Sequence, residues 1–194
     1  MAEKLSKGIQ ILYSRITCQG VWTTALWAAD HAVRIITGAP LRHLTEITPH
    51  LYVGGQYRKR GWCRLAARGI TAVVNLRTEF DDSEKGIAPA SYLYLPTVDD
   101  TPPSLNQLAE GVAFIRREVG RGGAVYIHCG AGVGRAPTLA AAYLVSTGLT
   151  PDQAWALIQS RRPFVRPKPE QVEQIEDFLA MIRPEAPACG PASP

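Results

Sequence analysis

The sequence lacks the cysteine pattern of a metal-binding or disulfide-stabilised protein. Its 194 residues contain only four cysteines. They are widely scattered, with no Cys-x-x-Cys or Cys/His pair of zinc-binding type. A chain of this length with so few cysteines is not built on disulfides. These absences favour a reduced, cytoplasmic protein that needs neither a metal nor another cofactor.

The sequence also lacks a secretory leader and a long hydrophobic run. Residues 1–8 have no apolar core or cleavage site of signal-peptide kind. The apolar stretch 16–29 is bounded by Arg15 and Asp30, and it is shorter than the roughly 20 residues that span a bilayer. The net charge of +4 suits an anionic ligand but does not indicate nucleic acid. With 46% hydrophobic and 20% charged residues, the chain is typical of a globular domain.

The body of the chain alternates short β-branched runs with helical patterns. This alternation predicts an α/β fold with a central, mainly parallel sheet of four to five strands, flanked by helices on both faces. The predicted strands lie near residues 51–55, 70–76, 92–95 and 124–128. The predicted helices lie near residues 57–68, 105–119, 135–148, 151–160 and 169–182, and Ser104 is the expected N-cap of the second.

The two ends of the chain differ from this body. Residues 1–40 are expected to be an N-terminal helical extension, with one or two amphipathic helices between Gly8 and Gly38 and a break at Gly20. The sequence favours packing of this segment against the domain, and an interfacial membrane helix is the alternative because Trp22 and Trp27 could lie at a bilayer surface. Residues 41–183 form the predicted main domain. Residues 184–194, rich in Pro, Ala and Gly, are expected to be a disordered tail.

One loop carries most of the chemical information. A predicted buried strand ends in His128-Cys129, the segment Gly130-Ala131-Gly132-Val133-Gly134 follows, and an apolar helix begins at Arg135. Glycines let the backbone turn its N–H groups inward, and such a nest before a helix N-terminus binds phosphate. The arginine fork can hold two phosphate oxygens. The same field favours a thiolate at the cysteine.

This pattern, His128-Cys129-x5-Arg135, resembles the signature of the protein tyrosine phosphatase superfamily in its dual-specificity branch. The opening strand, from Ile47 to Gly54, is also similar to that branch. The resemblance implies that Cys129 is the nucleophile, that Arg135 clamps the phosphate, and that residues 130–135 supply the amides around it. It implies a role for His128 in holding the loop.

A general acid is needed to protonate the leaving oxygen. The segment Val98-Asp99-Asp100-Thr101-Pro102-Pro103 resembles the acid loop of the family, whose Asp-x-x-Pro-Pro pattern selects Asp99, with Asp100 as the alternative. The resemblance implies a phosphocysteine intermediate and no metal.

Two departures from the family pattern bear on the reaction and its substrate. Most members have Ser or Thr directly after the arginine, where this chain has Ala136, so we expect slow hydrolysis of the phosphocysteine. The string Gly-Arg-Ala-Pro is similar to the loop of the glucan phosphatases, the plant starch phosphatases and laforin, which implies a phosphoglucan alternative. A looser similarity around Thr97-Val98-Asp99 and the N-terminal helix implies a phospholipid alternative, such as phosphatidylglycerophosphate or a phosphoinositide.

The main prediction is therefore a phosphatase for phosphoproteins or other anionic phosphomonoesters. A weakly active phosphate-binding module is the competing hypothesis, and Ala136 is the residue that supports it. The basic cluster of Arg161, Arg162, Arg166 and Lys168 favours a solvated surface at a helix end, with steering of an anionic substrate as the alternative. The sequence names neither the substrate nor the oligomeric state.

Overall fold

A computed structural model describes residues 2–183, and these alternate between strands and helices as the sequence predicts. The strands are β1 (Glu46–Thr48), β2 (Leu51–Gly55), β3 (Ile70–Arg77), β4 (Ser91–Thr97) and β5 (Ala124–Cys129). The helices are α1 (Ala2–Thr37), α2 (Trp62–Ala66), α3 (Leu105–Gly120), α4 (Arg135–Ser146), α5 (Pro151–Arg161) and α6 (Pro169–Ile182). The predicted disordered tail, 184–194, lies outside the described residues.

The five strands form one sheet in the order β1-β2-β5-β3-β4. Strands β2, β5, β3 and β4 are parallel, and only the short β1 is antiparallel to its neighbour. Strand β5 lies in the centre, so that Cys129 pairs with Gly55 on one side and His128 pairs with Asn75 on the other. This confirms the mainly parallel sheet and places the cysteine where an α/β sheet binds ligands.

Helices cover both faces of the sheet. Helices α3, α4, α5 and α6 pack on one face around a core that includes Val74, Ile127 and Leu139. Ten of the twelve residues of α4 are buried, which explains its run of alanine and leucine. The short α2 covers the other face, where Leu65 packs with Tyr57 and Tyr126.

The structure corrects the helix predicted over residues 57–68. Only Trp62–Ala66 is α-helical, after a 3-10 turn at Lys59–Gly61. Tyr57 is held outside the helix because its side chain enters the core and its hydroxyl donates to the Ile87 carbonyl at 2.7 Å. The predicted cap of α3 is confirmed, since the Gln107 N–H donates to the Ser104 hydroxyl in a capping box.

Helix α1 is kinked at Gly20, whose φ of 83° and ψ of 164° are not helical. The kink folds the first half of α1 back toward the second half. As a result, the Arg15 guanidinium lies 4.4 Å from the centroid of the Trp27 ring. In the part of the chain that the structure describes, no helix combines the length and the apolar character needed to cross a membrane.

Candidate active site

The loop between β5 and α4 is folded around the thiol of Cys129. The Gly132 N–H donates to Cys129 Sγ at 3.3 Å, and the cysteine is buried at the end of its strand. Gly132 has a φ of 69°, and a Cβ atom there would overlap the backbone of Gly54. Only glycine fits both requirements, so the glycine pattern predicted to shape the loop has a steric basis at this position.

Two arginines from distant parts of the chain hold the carbonyl groups of this loop. Arg162 donates through Nε to the Gly132 carbonyl at 2.7 Å and through Nη2 to the Ala131 carbonyl at 3.0 Å. Arg34 of α1 donates through Nη1 to the Gly130 carbonyl at 3.0 Å. With three consecutive carbonyls engaged on the outside, the loop is left to present N–H groups toward its centre, as an anion site requires.

The position of Arg162 corrects the prediction that its cluster is solvated surface. Its side chain is fully buried, and it also donates to the Leu44 carbonyl at 2.7 Å and pairs with Asp30 at 3.4 Å. Burial lowers the pKa of Arg162, and the Asp30 carboxylate opposes this effect. Its neighbour Arg161 is exposed, as are Arg166 and Lys168.

The guanidinium of Arg135 contacts two carboxylates and a backbone carbonyl at the site. Its two terminal nitrogens form a bidentate pair with Glu79 at 3.1 Å each, and Nη2 lies 2.8 Å from Asp99 Oδ1. Its Nη1 also donates to the Thr97 carbonyl at 2.8 Å. Burial would lower the pKa of Arg135, but Glu79, Cys129 and Asp99 raise it overall. Its buried Nε has no hydrogen-bond partner among residues 2–183, which leaves one donor for an anionic ligand.

A buried pair lies beneath the loop. His128 Nε2 is 2.7 Å from Asp82 Oδ2, and both side chains are completely inaccessible to solvent. Because the carboxylate only accepts, Nε2 carries the proton. Tyr57 packs edge-on against the imidazole, with ring centroids 5.5 Å apart. His128 is thus a hydrogen-bonded structural residue directly before the cysteine.

A family model for the dual specificity phosphatase, catalytic domain, matches residues 51–180. The chain belongs to the dual specificity phosphatase family. It is 30% identical over 146 residues to dual specificity protein phosphatase 1 of Homo sapiens, which covers 74% of this chain and 39% of the relative. It is 33% identical over 150 residues to dual specificity protein phosphatase 5 of Rattus norvegicus, covering 76% and 38%. The chain therefore spans about two fifths of the length of these curated relatives.

Solved structures of the same fold agree with this assignment. A structure of PTPMT1 in complex with PI(5)P has 28% identity and a TM-score of 0.65, covering 70% of this chain and 94% of that one. The active form of Tk-PTP has 28% identity and a TM-score of 0.63, covering 71% and 97%. The mainly parallel sheet and the strand–loop–helix at Cys129 are those of a dual specificity phosphatase.

The loop after β4 of this dual specificity phosphatase domain places the two candidate aspartates in different surroundings. The Asp99 side chain points to Arg135 and is 78% exposed at the mouth of the site. Asp100 has a φ of 63°, and its carboxylate lies 3.8 Å from Lys168. Gln171 ties this loop to the cysteine loop, since it donates to the Thr101 carbonyl at 3.0 Å and lies against Gly134.

The structure brings together the predicted residues Cys129, Asp99 and Arg135, and it adds others that sequence reasoning missed. These are Arg34, Glu79, Asp82, Arg162 and Gln171. Arg162 stands in the basic cluster that the sequence shows, and the other four stand in no recognisable pattern. Each is a common surface residue type that becomes a site residue only through the fold. Within the described residues, no group of three or more His, Cys, Asp or Glu could hold a metal ion.

Proposed function

We propose that this domain hydrolyses phosphate monoesters through a phosphocysteine on Cys129. The observation that carries the proposal is the meeting of three groups at one loop: a buried thiol that accepts the Gly132 N–H, the Arg135 guanidinium and the Asp99 carboxyl. These groups correspond to a nucleophile, a phosphate clamp and a proton donor. The amides of residues 130–135 complete the phosphate cradle.

In the first step, the Cys129 thiolate attacks phosphorus and an S–P bond forms. The ester P–O bond breaks, and Asp99 gives its proton to the leaving oxygen. The unpartnered Nε of Arg135 and the loop amides bind the phosphoryl oxygens and stabilise their charge in the transition state. The Asp99 side chain is exposed at the mouth of the site, where a leaving group would be.

In the second step, the Asp99 carboxylate takes a proton from water, whose oxygen attacks phosphorus. The S–P bond breaks, and phosphate leaves together with a regenerated thiolate. A thiol nucleophile needs a reduced environment, which suits the cytoplasmic location that stays a prediction from the sequence.

Phosphoproteins are the first candidate substrates, because the curated relatives are named dual specificity protein phosphatases. Phospholipids are the second candidate, supported by a cavity of about 610 Å³ beside Val133 that is lined by Arg15, Arg166 and Lys168. These cations could bind further anionic groups of a lipid headgroup, and the neighbouring PTPMT1 structure contains PI(5)P. The phosphoglucan alternative stays a prediction from the loop sequence.

Hydrolysis of p-nitrophenyl phosphate in reducing, metal-free buffer tests the activity. We expect wild type to release phosphate and Cys129→Ser to lose more than about 10³-fold in kcat, because the hydroxyl is a much weaker nucleophile than a thiolate. If wild type binds phosphate but turns nothing over, the domain is the phosphate-binding module instead. A side-by-side screen of phosphopeptide, phosphoinositide, phosphatidylglycerophosphate and phosphorylated glucan then ranks the substrates.

The assignment of the acid is tested with Asp99→Asn and Asp100→Asn, at two neighbouring positions. In each variant, asparagine can adopt the backbone conformation of the aspartate that it replaces. We expect Asp99→Asn to lower kcat by about 10²-fold or more. The loss should be larger with phenyl phosphate than with p-nitrophenyl phosphate, because the more basic leaving oxygen needs the proton more. Asp99→Asn should also remove the fall in kcat at alkaline pH. The reverse result, with these effects in Asp100→Asn, would assign the acid to Asp100.

A further inference from the structure

The second half of α1, residues 21–37, has the opposite polarity to an ordinary surface helix. A helix on a globular protein normally turns its apolar side inward and its polar side to water. Here every exposed residue of the segment is apolar, and spacings of three and four put these residues on one helical face. We call this surface the apolar face. It consists of Val21, Trp22, Ala25, Ala28, Ala29, Ala32, Ile35 and Ile36.

Polar contacts fix this orientation. Asp30 is buried and pairs with Arg162, and it also accepts the Leu41 N–H at 3.0 Å. One helical turn later, Arg34 donates to the carbonyls of Gln56 and Gly130. Rotating the helix to bury its apolar face would break these bonds and leave a buried charge without a partner. The largest side chains of the apolar face stay exposed as a result, with Trp22 at 76%.

Positive charge lies beside α1, on the flank of the helix that carries Trp27 and meets the cysteine loop. Arg15, which packs on Trp27, lines the cavity beside Val133 together with Arg166 and Lys168. Burial lowers the pKa of Arg15, and the nearby charges of Arg166 and Arg162 lower it further, so these cations are close enough to repel one another. Asp100 is the one carboxylate among the residues that line this cavity. We call Arg15, Arg166 and Lys168 the basic rim.

We propose that the apolar face docks on the surface of an anionic lipid bilayer, with the basic rim at the level of the headgroups. Interfacial helices of this kind sink about 5–10 Å into the boundary between headgroups and acyl chains, and tryptophan favours that depth. Lysine and arginine are scarce on the helix itself, so the helical pattern alone is a poor membrane signal. The fold supplies the missing cations from the connection between α5 and α6.

Charge distinguishes the bilayer from a second copy of the chain. Self-association through the apolar face would bring together two molecules that each carry a net charge of +4. An anionic surface complements the same charges and strengthens with their number. The proposal does not depend on catalysis, because no residue of the apolar face takes part in the proposed chemistry.

Cosedimentation of the full chain with vesicles tests the docking. We expect stronger binding to phosphatidylcholine–phosphatidylglycerol vesicles than to phosphatidylcholine alone. Ile36→Asp and Trp22→Asp should each weaken binding about tenfold or more, because each removes a large apolar group from the lipid and adds a negative charge. Met181→Asp, at an exposed apolar position of α6, is the matched control and should bind like wild type. Circular dichroism shows that each variant is folded.

Two further measurements separate the outcomes. Tryptophan emission should shift to the blue when wild type meets the anionic vesicles, and Trp22→Phe should bind while losing most of that shift. Light scattering without lipid reports self-association. Wild type that stays in the supernatant with both kinds of vesicle overturns the proposal. So does a dimer that Ile36→Asp dissociates while vesicle binding is absent, since the occupant of the apolar face is then a second copy.

Discussion

At the scale of single residues, Arg135 shows how carboxylates shape the site before any substrate arrives. Glu79 holds both terminal nitrogens of its guanidinium at 3.1 Å. Burial alone would raise the pKa of Glu79, but hydrogen bonds from Arg135, from its own backbone N–H and from Arg77 lower it to about 2. The carboxylate therefore stays charged through the whole range in which the enzyme could work, and it fixes the plane of the arginine fork.

This pKa shift predicts a stability difference that depends on pH. The folded state lowers the pKa of Glu79 from 4.5 to about 2, so its stabilising contribution is complete above about pH 4.5 and disappears as the pH falls toward 2. We expect Glu79→Gln to lower the melting temperature at neutral pH, by less in high salt because the carboxylate is partly exposed. The gap to wild type should close on acidification. A gap that is unchanged near pH 3 in a thermal melt would contradict this origin.

Ala136 leads to a prediction about the second chemical step. The buried Ala136 offers no hydroxyl, and the next hydroxyl in α4, that of Thr138, donates to the Gly134 carbonyl at 3.0 Å. The leaving thiolate is therefore left with the Gly132 N–H, and we expect a burst of product in rapid-quench kinetics. Ala136→Ser should reduce the burst and raise kcat about tenfold, as for a hydrogen bond to a charged group. Ala136→Gly, which adds no hydroxyl, should keep the burst; a linear trace in wild type would contradict the idea.

Residues that share one short motif were predictable, and their partners were not. Cys129 and Arg135 lie in a single loop whose spacing has a direct chemical meaning, and Asp99 follows from its proline-rich loop. Glu79 and Asp82 reach the same loop only because β3 lies beside β5, which no local pattern states. Arg162 sits among three other cations that do remain at the surface, so its burial is a property of the fold.

At the scale of elements, Arg162 links the end of α5 to the cysteine loop, to the chain before β1 and to α1. Its hydrogen bonds reach the carbonyls of Leu44, Ala131 and Gly132, and its charge is balanced by Asp30. Four segments that are far apart in sequence therefore depend on one guanidinium. Loss of it would leave buried acceptors and a buried carboxylate unsatisfied.

We expect Arg162→Met to destabilise the fold by about 3–5 kcal/mol, the usual cost of removing one member of a buried pair. The matched control is Arg161→Met, because Arg161 is the exposed neighbour on the same helix end and should change stability little. Urea unfolding of both variants measures the difference. A similar, small effect for both would show that Arg162 acts as an ordinary surface cation.

Helix α1 illustrates what periodicity does and does not predict. The spacing of its apolar residues correctly indicates an amphipathic helix with a break at Gly20. Spacing does not say which side of the helix meets the domain. The polar side of the helix packs against the domain, because Asp30 pairs with Arg162 and Arg34 donates to the Gly130 carbonyl. Apolar contacts would not replace these bonds.

At the scale of the whole molecule, the alternation of buried runs and helices was sufficient to predict a parallel α/β sheet. The order of the strands was not predictable, because β2, β5 and β3 pair across long stretches of sequence. The antiparallel β1 was missed because its three residues are too few to show a pattern. The helix predicted over residues 57–68 failed for a related reason. Its first residue, Tyr57, is drawn into a core that exists only once the second face of the sheet has formed.

The hydrogen bond from Arg34 to the Gly130 carbonyl has a consequence for where this catalytic unit begins. The region shared with the family, residues 51–180, contains Cys129, Arg135 and Asp99, but it excludes Arg34 and Asp30. A fragment trimmed to those limits would keep its reactive groups and lose part of the scaffold that shapes their loop. The smallest fragment that keeps these contacts therefore starts upstream of Asp30. Grafting the shared region alone onto another protein would transfer the reactive groups without the contacts that shape their loop.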